Sequence, residues 1–72
     1  MPTIDMAATG AAIRKKMDDA GKTTGDIQNA CGLTTKNAIY KWLNGICMPT
    51  IDNMVIIAHV CGVRIDDIVK TA

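Results

Sequence analysis

The sequence has no phenylalanine and no glutamate, and only one tryptophan, one tyrosine and one histidine among 72 residues. It offers no paired carboxylates set for acid–base work, no nucleophile beside a base and no phosphate-cradling loop. General acid–base and covalent catalysis need such sets, so an enzyme is not expected. Long hydrophobic runs are missing as well. The longest, Met54–Ala58, is five residues, where a bilayer span needs about 20. Met1–Gly10 has neither a basic start nor an apolar stretch, which argues against a secretory signal. A cytoplasmic protein without a membrane partner is the expectation, with Cys31, Cys47 and Cys61 as free thiols; an odd number cannot pair off within one chain. A dominant charge is the last absence. Eight Lys and Arg stand against seven Asp, a net charge of +1, so no global basic field announces a nucleic-acid partner.

What is present is a normal complement of core-forming residues, 49% of the chain, enough for one small domain over residues 1–72. Short oxygen-bearing residues suited to helix N-caps (Thr3 or Asp5, Thr23 or Thr24, Thr34 or Thr35, Thr50) alternate with glycines suited to helix ends (Gly21, Gly32, Gly45, Gly62). Between them the apolar residues recur with helical period. Met6, Gly10, Ile13, Met17 and Ala20 draw one stripe in the first unit. Ile27, Ala30 and Cys31 serve the second, about Thr24–Cys31. Ile39, Trp42 and Leu43 serve the third, about Lys36–Asn44. The fourth, Ile51–Cys61, is apolar almost all round, as a central or subunit-covered helix would be. Ile65–Lys70 forms a short fifth. No segment alternates as a strand does. The expected fold is therefore all-α, a compact five-helix orthogonal bundle. The pentapeptide Met-Pro-Thr-Ile-Asp occurs twice, at 1–5 and 48–52, and reads as two helix starts written in the same capping residues.

The segment 24–44 carries the functional signal. A short helix, a glycine turn and a second helix with a polar outer face make a helix-turn-helix unit. Ile39 and Trp42, at i and i+3, bury one face of the second helix and fix its rotation, so Lys36, Asn37, Tyr40 and Lys41 point outward. Lysine suits guanine acceptors or phosphates, asparagine the adenine edge, and tyrosine a phosphate or an apolar contact. The span Gly32–Gly45 contains no acidic residue, so the local field favours a polyanion despite the neutral whole.

From Gly10 to about Val69 the sequence resembles the Cro/repressor-type, xenobiotic-response-element-like helix-turn-helix regulators. The resemblance rests on Ile13-Arg14, Asp26-Ile27, Cys31-Gly32-Leu33, Ala38-Ile39-Tyr40-Lys41-Trp42 with Asn44-Gly45, Pro49-Thr50-Ile51-Asp52-Asn53, Cys61-Gly62-Val63 and Ile65-Asp66-Asp67-Ile68. It implies a lambda-repressor-like domain that binds double-stranded operator DNA as a transcriptional regulator and as a homodimer; repression is the default expectation because a domain this small offers little surface for polymerase contact beyond its reading head. It places Thr24 where these proteins hold a phosphate, and Thr35, Lys36, Asn37 and Ala38 on the leading turn of the recognition helix. Tyr40 and Lys41 fall on its next exposed turn, and Asn44 at a further backbone contact. Four departures stand out. Thr34 adds a residue to the turn, and Gln28 replaces a small residue. Gly25 weakens the second helix, and Arg64 replaces a capping serine.

Other readings compete. Three cysteines and His59 could in principle hold zinc, but Cys31 and Cys47 lie sixteen apart in sequence, and His59-Val60-Cys61 sends two ligands to divergent helix faces; no Cys-x-x-Cys pair exists. No metal or cofactor is expected. With one domain, nothing is left over to receive a small-molecule effector. Cys47, after Gly45, is the expected exposed thiol. Helix four together with Ile65–Val69 is the expected dimer face. The rival functional class is a protein-interaction or antitoxin-like module that keeps the fold and binds DNA weakly or not at all, and the near-zero net charge is its support.

Overall fold

In the computed structural model, which describes residues 3–71, Asp5 opens the first helix by accepting the Ala8 amide at 2.9 Å. Helix α1 runs Met6–Ala20, α2 Thr24–Cys31, α3 Asn37–Leu43, α4 Ile51–Cys61 and α5 Ile65–Ile68. All five expected helices form. Thr23 starts α2 with a reciprocal capping box: its hydroxyl accepts the Asp26 amide at 3.3 Å and its own amide donates to the Asp26 carboxylate at 2.9 Å. Thr50 starts α4 by accepting the Asn53 amide at 3.3 Å. At Arg64 the missing serine is replaced from the other side. The Asp67 carboxylate accepts the Arg64 amide at 3.0 Å, so α5 still begins there. The four expected stop glycines all take the left-handed conformation.

The core is built from Ile13 and Met17 of α1, Ile27 of α2, Ile39, Trp42 and Leu43 of α3, Met54, Ile57, Ala58 and Cys61 of α4, and Ile68 of α5. Helix α1 packs on α3, α4 and α5, while α2 lies between α3 and α4. Gly10 makes the α1–α3 contact possible. A Cβ there would sit 2.4 Å from the Trp42 carbonyl oxygen and 2.7 Å from that of Leu43. At the neighbouring contact the Gly45 backbone, at φ +73°, lies against Ala7 so closely that a Cβ would fall 2.8 Å from its Cα. Glycine is required there on both counts.

Several sequence expectations need correction. Met6 is exposed and leaves the α1 stripe, because Thr9 and Gly10 take the buried positions of that turn. Ala30 is exposed too, since α2 meets the core along the Ile27–Cys31 line. Cys47 is half-buried and packs on the core; Ile46 takes the solvent side of that loop, 65% exposed. Burial pushes the thiols of Cys31 and Cys61 up, Lys22 opposing it slightly at Cys61. Ile65 and Val69 are half-buried against the core and Ile68 is fully buried, so the fifth unit is scaffold more than free surface. The exposed apolar residues of α4 are Ile51 and Val55, one turn apart.

One feature has no counterpart in the sequence reading. Thr9 is fully buried in α1, where its hydroxyl accepts the Lys70 amide at 3.0 Å and donates to the Lys70 carbonyl at 3.4 Å. The Asp5 amide donates to the same carbonyl at 2.8 Å, and Ile4 pairs with Thr71 as an isolated antiparallel bridge. These bonds fasten the two ends of the described chain together.

Candidate nucleic-acid interface

Helix α3 is held by three buried side chains. Ile39, Trp42 and Leu43 are all under 10% exposed, which fixes the rotation of a helix only seven residues long. Asn37, Tyr40, Lys41 and Asn44 then recur at the spacing of the opposite face, and all four are exposed. Tyr40 is 47% exposed. Among the described residues neither Lys36 nor Lys41 has a carboxylate within 4.0 Å; the ion pairs present, Lys15–Asp19 and Arg64–Asp66, lie elsewhere. The polar edge of α3 is therefore outward and uncompensated.

The turn before α3 differs in detail from the sequence reading. Lys36 is the N-cap residue, with helical backbone and no side-chain cap. Thr35 stands one residue earlier, where its hydroxyl accepts the Asn37 amide at 3.4 Å. The residue added at Thr34 is taken up in the bends over 34–36, and α3 starts one residue later than expected. Gln28, half-buried, donates its side-chain amide to the Leu33 carbonyl at 3.3 Å and braces this turn from α2. A larger residue at that place is thus a strut.

Lys36 reaches back over the first turn of α2. Its ammonium nitrogen lies 3.9 Å from where a Gly25 side chain would begin. The structure thus brings the Lys36 ammonium beside Gly25, in the first turn of α2 and at the positive end of its dipole. Thr24 is the first residue of α2 and half-buried, not its cap. The one carboxylate in this first turn, Asp26, is engaged by the Thr23 amide, which holds it below the usual carboxylate range. Sequence reasoning missed the Lys36–Gly25 approach because it depends on how the long turn folds.

The sequence profile of the helix-turn-helix family matches residues 13–68, the span that includes α2, the turn and α3. The chain belongs to the helix-turn-helix family. This is a family of DNA-binding regulators, and the fold agrees with it. A solved structure, the clp gene regulator ClgR from C. glutamicum, aligns with a TM-score of 0.76 at 20% identity, covering 92% of this chain and 84% of that one. At such identity the likeness establishes the fold. The search of curated proteins gave no match. In this helix-turn-helix chain no described helix is long and apolar enough to cross a membrane. No three His, Cys, Asp or Glu side chains gather among the described residues as a metal site would require.

Proposed function

We propose that this helix-turn-helix protein binds double-stranded DNA sequence-specifically and represses transcription by occupying operators. The observation that carries the reading is the edge of α3, where Asn37, Tyr40, Lys41 and Asn44 stand exposed and, among the described residues, no carboxylate lies within 4.0 Å of Lys36 or Lys41. Asn37 and Tyr40, with Thr35 beside them, meet base edges in the major groove. Lys36 and Thr24 hold one phosphate at the start of α2, and Lys41 and Asn44 hold the backbone further along. Lys36 is assigned to phosphate because its ammonium lies beside Gly25 in the first turn of α2. A protein 35 Å long covers about 10 base pairs at about 3.4 Å each, enough to occlude a promoter element. Two copies pair through the exposed Ile51 and Val55 side of α4, spacing their recognition helices about 34 Å apart on a near-palindromic site.

Selection of bound duplexes from a random pool, repeated with variants, tests the assignment. Asn37→Ala relaxes preference at one base position, worth about 1–3 kcal/mol. Lys36→Ala weakens all sequences alike and lowers the salt slope by about 0.9. An Asn37→Ala protein that selects the parent operator with undiminished preference would refute α3 as the reader. Absence of any steep salt dependence in the parent would instead favour the protein-interaction module. A sedimentation profile showing monomer alone, free and on DNA, would remove the dimer.

A further inference from the structure

A second surface lies away from the recognition helix. Ala8, Ala11 and Ala12 of α1 form the floor of a trough of about 470 Å³, with Lys15, Lys16, Asp67 and Lys70 around it. None of these residues belongs to α2, α3 or the turn between them. We propose that this trough is a docking groove for an acidic segment of another protein, one that places small apolar side chains on the alanine floor and carboxylates against the lysine rim.

Three observations lead there. First, the charge around the trough is lopsided in a chain that is otherwise nearly neutral. Lys16 and Lys70 have no carboxylate within 4.0 Å among the described residues, and Lys15 has only an exposed contact to Asp19 at 3.9 Å. The remaining acid, Asp67, is occupied in starting α5, where it accepts the Arg64 amide at 3.0 Å. Second, the rim is positioned in advance. The Lys70 backbone is bonded on both sides to α1 and its leader, through the Thr9 hydroxyl and the Asp5 amide. A partner therefore need not order the C-terminal segment before binding, and preorganisation of this kind lowers the cost of association. Third, the floor is methyl groups, with Ala11 exposed and Ala8 and Ala12 half-buried. A trough of this volume accepts a few side chains.

The same features select among occupants. A sugar–phosphate backbone would meet the lysines but gain nothing from the alanine floor. A second copy docked by two-fold symmetry would set Lys15, Lys16 and Lys70 against themselves, and like charges across an interface are penalised. An acidic polypeptide satisfies rim and floor together. The inference does not depend on the DNA reading, since its residues are separate from α3.

The test is backbone-amide NMR on the full chain titrated with an amphipathic peptide built of glutamate, alanine and leucine. Its controls are the same peptide with lysine for glutamate, a random duplex DNA, and dilution of the protein alone. The expected result is saturable shifts at Ala8, Ala11, Ala12, Lys16 and Lys70 with the acidic peptide only. Lys16→Gln with Lys70→Gln weakens binding about tenfold. Ala11→Gln fills the trough and weakens binding while leaving every charge in place; unchanged thermal melts show that both variants stay folded. Shifts scattered over the surface, or equal shifts with the basic peptide, overturn the proposal. So does a trough that responds only to DNA, which would make it a backbone contact, or only to protein concentration, which would make it an interface between copies.

Discussion

Alanine in place of Gly10 sets two known effects against each other. Gly10 lies inside α1, where glycine costs about 1 kcal/mol relative to alanine, so an isolated α1 would gain by the change. In the folded chain the new methyl falls 2.4 Å and 2.7 Å from the carbonyl oxygens of Trp42 and Leu43. Ordinary contact begins near 3.4 Å, so α1 and α3 must separate by about 1 Å. These obstacles are backbone atoms near the end of a helix and cannot rotate away. Overpacking costs about 1–3 kcal/mol, and with backbone on the far side the upper end applies. The net effect is a loss of about 2 kcal/mol, or roughly 8–16 °C in Tm for a domain of this size. Gly25→Ala is the matched control. Its methyl would meet nothing closer than the Thr23 hydroxyl at 3.5 Å, so the propensity term stands alone and stability rises by up to about 1 kcal/mol. Thermal melts followed by far-ultraviolet circular dichroism and by the fluorescence of Trp42, the single tryptophan, read both. Opposite signs support the argument. A Gly10→Ala chain that melts at or above the parent, or a Gly25→Ala chain that loses as much, shows that the α1–α3 distance does not limit the fold.

Thr9→Val keeps the shape of a fully buried side chain but leaves the Lys70 amide without its acceptor. The expected loss is about 1–3 kcal/mol, seen as a lower urea midpoint at constant slope, with faster hydrogen exchange at Lys70; an unchanged midpoint would show the terminal clasp to be idle. Asp26 gives a pH signature. The Thr23 amide, its largest influence, holds the folded pKa below the ordinary 3.8, so the capping box contributes fully above about pH 4 and its contribution is lost as pH falls through the depressed value. Asp26→Asn removes that share of the acid-limb slope in urea midpoints taken across this range. Identical slopes in the two proteins would count against the capping box as a titrating element.

Much of this molecule was legible because its local and tertiary preferences agree. The bounds of α2 and α4 follow from Thr23 or Thr24 to Gly32 and from Thr50 to Gly62, and the inner face of α3 from Ile39, Trp42 and Leu43. The outward edge of α3 was legible for the same reason, since burying three residues of a short helix leaves its other positions no choice. Less legible was anything set by a partner distant in sequence. Thr9 reads as a polar interruption in the α1 stripe, and only the return of Lys70, 61 residues on, gives its hydroxyl a use. Gln28 reads as an oversized residue until the Leu33 carbonyl appears opposite it. Lys36 reads as the first residue of the reading helix, yet the extra turn residue leaves it as the cap and sends its ammonium over Gly25.

The repeated pentapeptide shows where local sequence stops deciding. Residues 1–5 and 48–52 are identical, and each leads into a helix. Met1 and Pro2 lie outside the described residues, but the rest of the first copy can be compared with the second. In the second copy Thr50 is the cap and the helix starts at Ile51. In the first, the equivalent Thr3 is outside the helix, Ile4 pairs with Thr71, and Asp5 is the cap two residues later. Both threonine and aspartate are strong caps, so the choice between them is worth little locally and can be made by one tertiary contact. Bonding of the Asp5 amide to Lys70 at 2.8 Å holds the first copy extended through Ile4. The buried Pro49 precedes Thr50, and among the described residues no bridge like that of Ile4 pairs with Ile51, so the second copy winds at the first opportunity. The helix boundary is therefore a report on the terminal clasp. If Thr9→Val releases Lys70, the first copy is free to start its helix at Ile4 with Thr3 as cap, as its twin does, and the amide exchange of Asp5 would reveal the shift.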